Sequence, residues 1–344
     1  MMKLNPSLKF YIKKNKKIIS DYYYKYAPKK LKKITHNFIT SESSKVNSKP
    51  KLFDSVYFEL RTRCNGTCSF CAASVRNETR PDISMDFELY KKAILELSDL
   101  NYKGLIAYHV NSDPLLIKNI DEYISFAREH LKDSWIQILS NGKSLNSING
   151  KKIIEAGVSE IFLNIYNDDL NAELPKNVLK FQGEVLHKLF SKDQIFSGQY
   201  KEFLSRKKPE GKYIYYNVAR RLLNEILTNR GGTAPNKKSN RSIEDHYGYC
   251  ELPFSKLNIT ANGNASQCCC DLPFSYPMGN IKSQNLKEIW EGEKFSELRK
   301  DLLSGNRKNN PLCSKCDYFG LSKYPKNYFR KSLYYLLKLN ENSN

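Results

Sequence analysis

Beyond a polar, lysine-rich opening of about fifty residues, the chain alternates short apolar runs with stretches whose apolar positions recur every three to four residues. The first pattern predicts strands over 55–63, 105–110, 135–139, 161–165 and 213–218. The second predicts a helix capped by Ser84 that places Phe87, Tyr90, Ile94 and Leu97 on one face, a helix over 119–131, and a short one ending at Gly157. Segment 169–211 carries no period that assigns it, and the polar stretch 231–241 reads as a loop or linker. Strands alternating with helices imply parallel pairing with crossover helices, hence an α/β fold built as an open sheet or barrel. Ligands of such sheets sit at the carboxyl ends of the strands. Those ends carry polar, turn-forming residues: Asn111-Ser112-Asp113-Pro114, Ser140-Asn141-Gly142 and Asn164-Ile165-Tyr166-Asn167.

Length and charge refine this picture. A chain of 344 residues accommodates one large α/β domain and a smaller module. No apolar run approaches membrane-spanning length, and the N-terminus lacks the apolar core and cleavage site of a signal peptide. Nine cysteines, an odd number, fall at 64–71, 250–270 and 313–316, which reads as metal ligation in a reducing cytoplasm rather than a disulfide framework. The net charge of +20 is uneven: residues 1–50 hold thirteen lysines against Asp21 and Glu42. This segment reads as a solvated basic extension, with no specific nucleic-acid partner. The basic, amphipathic tail at 321–344 offers a second such end, and peripheral membrane contact through the two termini is the alternative. The resulting division is a basic extension (1–50), a core (51–240), an auxiliary module (247–320) and the tail.

The first cysteine group, Cys64-Asn-Gly-Thr-Cys68-Ser-Phe-Cys71, follows directly on the first strand. Three thiolates fill three corners of a [4Fe–4S] cube and leave one iron open, whereas a structural zinc site is closed by a fourth ligand. The 3-then-2 spacing is unlike the paired C-x2-C knuckles of zinc ribbons, which favours the cube over zinc. The motif, with Phe70 before its last cysteine, resembles the signature of the radical S-adenosylmethionine (SAM) superfamily. That resemblance implies a partial (β/α)6 barrel in which the open iron chelates SAM and a 5′-deoxyadenosyl radical takes hydrogen from substrate. It also implies SAM contacts from Phe70, Ser112, Asp113, Asn141 and Asn164. Asn111-Ser112-Asp113-Pro114 stands where many members carry Gly-Gly-Glu-Pro, a departure that loosens the individual assignments. Asp113 is the expected acceptor for the SAM amino group.

A second constellation comprises Cys250, Gly263, Cys268, Cys313 and Cys316 around a short hairpin and a helix over 286–302. By spacing alone four such thiolates close a zinc site or a [4Fe–4S] cube equally well. With Gly279-Asn280-Ile281, Trp290 and the final C-x2-C, the segment resembles the small α+β SPASM/twitch module that follows radical SAM cores. The resemblance implies an auxiliary [4Fe–4S] cluster on Cys250, Cys268, Cys313 and Cys316. Strand alternation would put Cys268 and Cys270 on one face and Cys269 on the other. Cys269 then reads as a small buried hydrophobe, and a spare thiol at Cys269 or Cys270 is an alternative hydrogen donor. Arg230-Gly231-Gly232 suits an anionic substrate group, the bland alternative being a surface turn.

The function expected from these readings is oxidation of a C–H or alcohol position of a sugar- or cyclitol-like substrate, with the auxiliary cluster accepting an electron. A flavodoxin- or ferredoxin-type reductant is the implied electron source. The alternatives are maturation or epimerisation of a ribosomally made precursor peptide, and a non-catalytic iron–sulfur binding protein.

Overall fold

The computed structural model describes residues 52–198, 211–236 apart from 226, and 250–318 apart from 251, 273, 304 and 305. The basic extension and the C-terminal tail expected from the sequence lie outside the described residues. The rest is organised by one nine-stranded sheet. Its strands are β1 (Ser55–Phe58), β2 (Leu105–Ala107), β3 (Trp135–Ser140), β4 (Glu160–Asn167), β5 (Ile195–Phe196), β6 (Ile214–Leu222), β7 (Lys256–Ile259), β8 (Asn264–Ser266) and β9 (Pro277–Asn280). They lie in the order β5-β6-β4-β3-β2-β1-β7-β8-β9. The first seven strands of the chain pair in parallel, and β8 and β9 return antiparallel. This is the α/β architecture expected, with strands linked by α1 (Phe87–Asp99), α2 (Ile120–His130), α3 (Ser147–Glu155) and α4 (Lys176–Phe181). β5, in the segment that has no readable period, is only two residues long.

The hairpin expected in the auxiliary segment forms, but it does not stand apart. β7 lies against β1 with Ser55 opposite Lys256 and Tyr57 opposite Asn258, so the sheet runs on into the auxiliary segment. Gly263 turns β7 into β8 at φ +87, a conformation that suits a residue without a Cβ.

Three local expectations are corrected. Ser84 is engaged in an isolated bridge with Arg61, and Asp86 caps α1, its carboxylate accepting from the Leu89 amide at 2.9 Å. β1 leaves the ladder after Phe58, well before residue 63. The helix over 286–302 is two helices, α5 (Leu286–Glu291) and α6 (Glu293–Leu303), because Gly292 is extended at ψ 166. A Cβ at Gly292 would lie 2.8 Å from the Glu288 carbonyl oxygen.

Alternation along the strands separates two faces. Val56, Phe58, Ile106, Ile136, Ile138, Ile161, Leu163, Leu257 and Ile259 join the helices in the main core. The other face carries Tyr57, Leu105, Ala107, Trp135 and Tyr215 as an apolar floor. Beside that floor the fully buried Glu160 accepts from Trp135 Nε1 (3.0 Å), Gln137 Nε2 (2.8 Å) and Asn217 Nδ2 (2.8 Å). Among the described residues no helix is long and apolar enough to cross a membrane.

Candidate active site

The chain leaves β1 into the cysteine loop, which is tied down on two sides. The Cys64 sulfur accepts from the Gly66 amide at 3.3 Å and from Asn141 Nδ2 at 3.5 Å. Asn141 Nδ2 also donates to Asn65 Oδ1 at 2.8 Å, fastening the loop to the carboxyl end of β3. On the other side Ser69 donates through its amide to the Leu223 carbonyl, just past β6. Gly66 leaves the space between the Cys64 and Cys68 sulfurs open, since a Cβ there would lie 3.3 and 3.8 Å from them. Burial, then the nearby Asp113, pushes the Cys64 thiol up to about 12; burial, then Cys71, lifts Cys68 to about 11. Clustered, buried thiols disfavour ionisation when alone and become thiolates only with a cation or cluster to bind. Amide donors to sulfur, and Lys143 and Arg221 near Cys68, suit an anionic cluster ligated there.

Phe70 is buried, its ring 5.7 Å from that of Tyr166 on β4. Tyr166 lies under the Arg221 guanidinium, which pairs with Glu225. Tyr166 and Asn164, two residues apart, share a face of β4, so Asn164 stands on the same side as Phe70. Ser112 is half-buried at the end of β2.

Asp113 is placed differently from the SAM-facing role expected of it. Its carboxylate accepts from Ser140 Oγ (2.9 Å to each oxygen), the Asn141 amide (2.9 Å) and the Leu115 amide (3.0 Å). It is 2% exposed and clamps the end of β2 to the end of β3, directly behind Asn141. Burial raises its pKa against these donors.

In the auxiliary segment Cys250, Cys268, Cys270, Cys313 and Cys316 lie in one buried cluster with Leu252, Leu298, Leu302 and Leu312. Cys270 touches the thiols of Cys268, Cys269 and Cys316. Cys268 and Cys270 thus lie together, as expected, in the buried cluster, whereas Cys269, expected to be a small buried hydrophobe, is half-buried. The chain turns just after β8, the Asp271 amide donating to the Cys268 carbonyl. Burial pushes Cys250 well above the usual thiol range and Cys313 up to about 12.

Arg230 joins the two groups. Its Nη2 donates to Asn111 Oδ1 at 2.7 Å, past the end of β2, and to the Cys269 carbonyl at 2.8 Å. Burial opposes its charge, but the surrounding thiols of Cys71, Cys270, Cys269 and Cys268 raise its pKa. The surface-turn alternative fails, because Gly231 is buried against Leu312 and a Cβ there would stand 2.3 Å from Leu312 Cδ1. Arg230 itself holds φ 47, a strained conformation for a side-chain-bearing residue. Asn229 secures the turn: its amide donates to Asp317 Oδ1 (2.6 Å), its Oδ1 accepts from the Asp317 amide (2.9 Å), and its Nδ2 donates to the Lys315 carbonyl (2.7 Å).

Sequence reasoning missed Tyr57, His109, Lys256 and Asn258, which face the same side of the sheet as the floor. Tyr57 and Asn258 sit at alternate positions to apolar core residues, a period-2 signal that the short strands make faint.

Residues 250–317 match the SPASM family, an iron–sulfur cluster-binding domain. Over 273 residues the chain is 29% identical to an S-adenosyl-L-methionine-dependent 2-deoxy-scyllo-inosamine dehydrogenase of Niallia circulans, covering 78% of this chain and 94% of that protein. The fold is similar to the crystal structure of BtrN in complex with AdoMet and 2-DOIA, with a TM-score of 0.59 at 29% identity over 78% of this chain and 95% of that one. It is also similar to BtrN in an open conformation, at a TM-score of 0.52 and 24% identity, covering 78% and 94% of the two chains. A three-cysteine loop at the end of the first parallel strand, the matched SPASM segment and this likeness along most of the chain together align the protein with radical SAM enzymes that carry a C-terminal SPASM iron–sulfur domain.

Proposed function

We propose that this protein is a SAM-dependent oxidoreductase acting on a hydroxyl-bearing carbon of a sugar- or cyclitol-like substrate. Cys64, Cys68 and Cys71 hold the SAM-binding [4Fe–4S] cluster, and Cys250, Cys268, Cys313 and Cys316 hold an auxiliary one. When bound, the first cluster and SAM supply a 5′-deoxyadenosyl radical that removes hydrogen from carbon, and the second cluster supplies an acceptor for the remaining electron. The residues around them position and shield this chemistry. Phe70 and Tyr166 present an apolar wall for the adenine, Ser112 and Asn164 present polar groups beside it, and Asn141 holds Cys64. Asp113 acts through Asn141 as a positioning residue. Arg230 meets the substrate between the two cysteine groups. A flavodoxin- or ferredoxin-type protein fits the role of reductant.

The observation that carries this reading is the bridge from Asn111 through Arg230 to the Cys269 carbonyl. One guanidinium thus bonds both to Asn111, past β2, and to the turn of the auxiliary cysteines, which supports a substrate held between the two cysteine groups. The similarity to a 2-deoxy-scyllo-inosamine dehydrogenase supports the substrate class.

Anaerobically reconstituted protein should bind about eight irons, by the count of two cubes. With SAM and dithionite it should release 5′-deoxyadenosine. Replacing Cys64, Cys68 and Cys71 with alanine should leave about four irons and no SAM cleavage. Stoichiometric zinc at the C-terminal cysteines of freshly purified anaerobic protein would remove the electron-acceptor role.

A further inference from the structure

Asn111 lies past the end of β2 and is 3% exposed, yet Nδ2 of its side-chain amide is buried without a hydrogen-bond partner. The other end of the same amide is committed, because Oδ1 accepts from Arg230 Nη2 at 2.7 Å. A guanidinium only donates, so Asn111 has to present its oxygen to Arg230, which leaves Nδ2 to serve another group. A buried donor without an acceptor is uncommon in folded proteins and costly, so an acceptor that arrives with a ligand is called for.

Arg230 defines where that acceptor stands. Its Nη2 also donates to the Cys269 carbonyl at 2.8 Å, so the guanidinium is held between the end of β2 and the turn of the auxiliary cysteines. Both bonds use Nη2, and among the described residues Nε and Nη1 make none. The oxygen and nitrogen of a side-chain amide lie about 2.3 Å apart, so Asn111 Nδ2 stands within about 5 Å of Arg230 Nη2. One hydroxyl-bearing ring therefore spans both groups. Asn111 also stands at the first glycine of the Gly-Gly-Glu-Pro pattern, and glycine has no side chain with which to hold an arginine or to donate to a ligand.

We infer that Asn111 is a substrate-binding residue that fixes Arg230 through Oδ1 and donates through Nδ2 to an oxygen of the substrate. The inference rests on the function proposed above and adds a second residue to the arginine already placed against the substrate. Amide nitrogen and guanidinium are both donors, so the group they hold needs a free lone pair. A hydroxyl offers one, and so does the carbonyl that its oxidation leaves, so the pair holds the same oxygen before and after the reaction.

The test is anaerobic titration calorimetry on the reconstituted full chain with SAM bound and no reductant, using scyllo-inositol and glucose as probes. Asn111→Asp keeps the shape of the side chain and an acceptor for Arg230 but replaces the donor with a second acceptor. Whichever ring the native protein binds should bind this variant about tenfold or more weakly. Iron content, SAM affinity and melting temperature should hold, because a carboxylate bonds a guanidinium at least as well as an amide does. An Asn111 that served only to anchor Arg230 would tolerate the change. Asn111→Gly, which lacks both ends of the amide, should weaken the ring at least as much, and it is judged by the same tenfold mark if the aspartate variant does not fold. A smaller loss, with native iron and SAM affinity, overturns the inference and leaves the proposed function standing. SAM affinity that falls together with ring affinity assigns the amide to SAM and overturns it as well. Native protein that cleaves SAM yet binds neither ring sinks both the inference and the substrate class on which it rests.

Discussion

Asn229 and Asp317, 88 residues apart, exchange hydrogen bonds in both directions: the Asn229 amide donates to the Asp317 carboxylate, and the Asp317 amide donates to the Asn229 side-chain carbonyl. Both are buried, at 1% and 7% exposure. The pair fastens the Arg230-Gly231-Gly232 turn to the loop of Cys313 and Cys316, and so fixes the arginine that lies between the two cysteine groups.

Asp317→Ala should therefore leave the buried Asn229 amide without its carboxylate acceptor, while the main-chain amide at 317 still donates to the Asn229 side-chain carbonyl, and cost about 1–3 kcal/mol of stability. Thermal denaturation checks this, and iron analysis should show loss confined to the auxiliary site. Unchanged melting with full iron would mean the turn is held elsewhere.

Asp113→Ala separates a clamp from a direct SAM contact. Removing an acceptor of Ser140, Asn141 and Leu115 should lower stability by about 2–4 kcal/mol and reduce iron at the first cluster, since Asn141 loses its anchor. Weakened SAM binding with full iron and an unchanged melting temperature would restore the contact expected from the sequence.

Glu59 gives a pH signature. It is fully buried, accepts from Arg80 Nη1 at 2.9 and 3.1 Å, and lies 3.4 Å from the Ala261 amide, while Arg80 stacks over Phe274 of the auxiliary segment. Burial lifts its carboxyl from 4.5 to about 7, outweighing the pull of Arg80. The folded state then holds a proton that the unfolded chain has released, so this contribution to stability is complete below 4.5 and declines as pH rises through about 7. Its size is about 3 kcal/mol by the pKa difference. Glu59→Gln should flatten the fall of melting temperature with pH across that window, and an unaltered slope would rule Glu59 out as its source.

The reaction outcome is read from product mass. Oxidation with the auxiliary cluster as acceptor yields a product lighter by two hydrogens, with no deuterium gained on carbon in D2O. Return of a hydrogen atom from a thiol yields an isomer that gains one deuterium in D2O, and half-buried Cys269 is better placed for this than Cys270, buried among its neighbours. We expect the lighter product. Deuterium in an unoxidised product, lost in Cys269→Ala while both clusters remain, would establish epimerisation instead.

Local chemistry carried a large share of this protein into view. The alternation of apolar runs and helical periods indicated parallel strands with crossovers, because strand and helix periods are written in neighbouring residues. The Cys64–Cys71 spacing pointed to a cluster ligand set for a similar reason, as it lies within one loop. Residues near one another in the chain were thus enough for the α/β class, the cysteine-bearing strand end and the separate auxiliary cysteines. It took the folded chain to show that β7 continues the sheet beside β1, that Cys270 is buried among the auxiliary thiols, that Asp113 is turned toward the end of β3, and that Arg230 bridges Asn111 and the Cys269 carbonyl. Each depends on register or on closing a loop of tens to hundreds of residues, and no local period records which distant partner a polar side chain will meet.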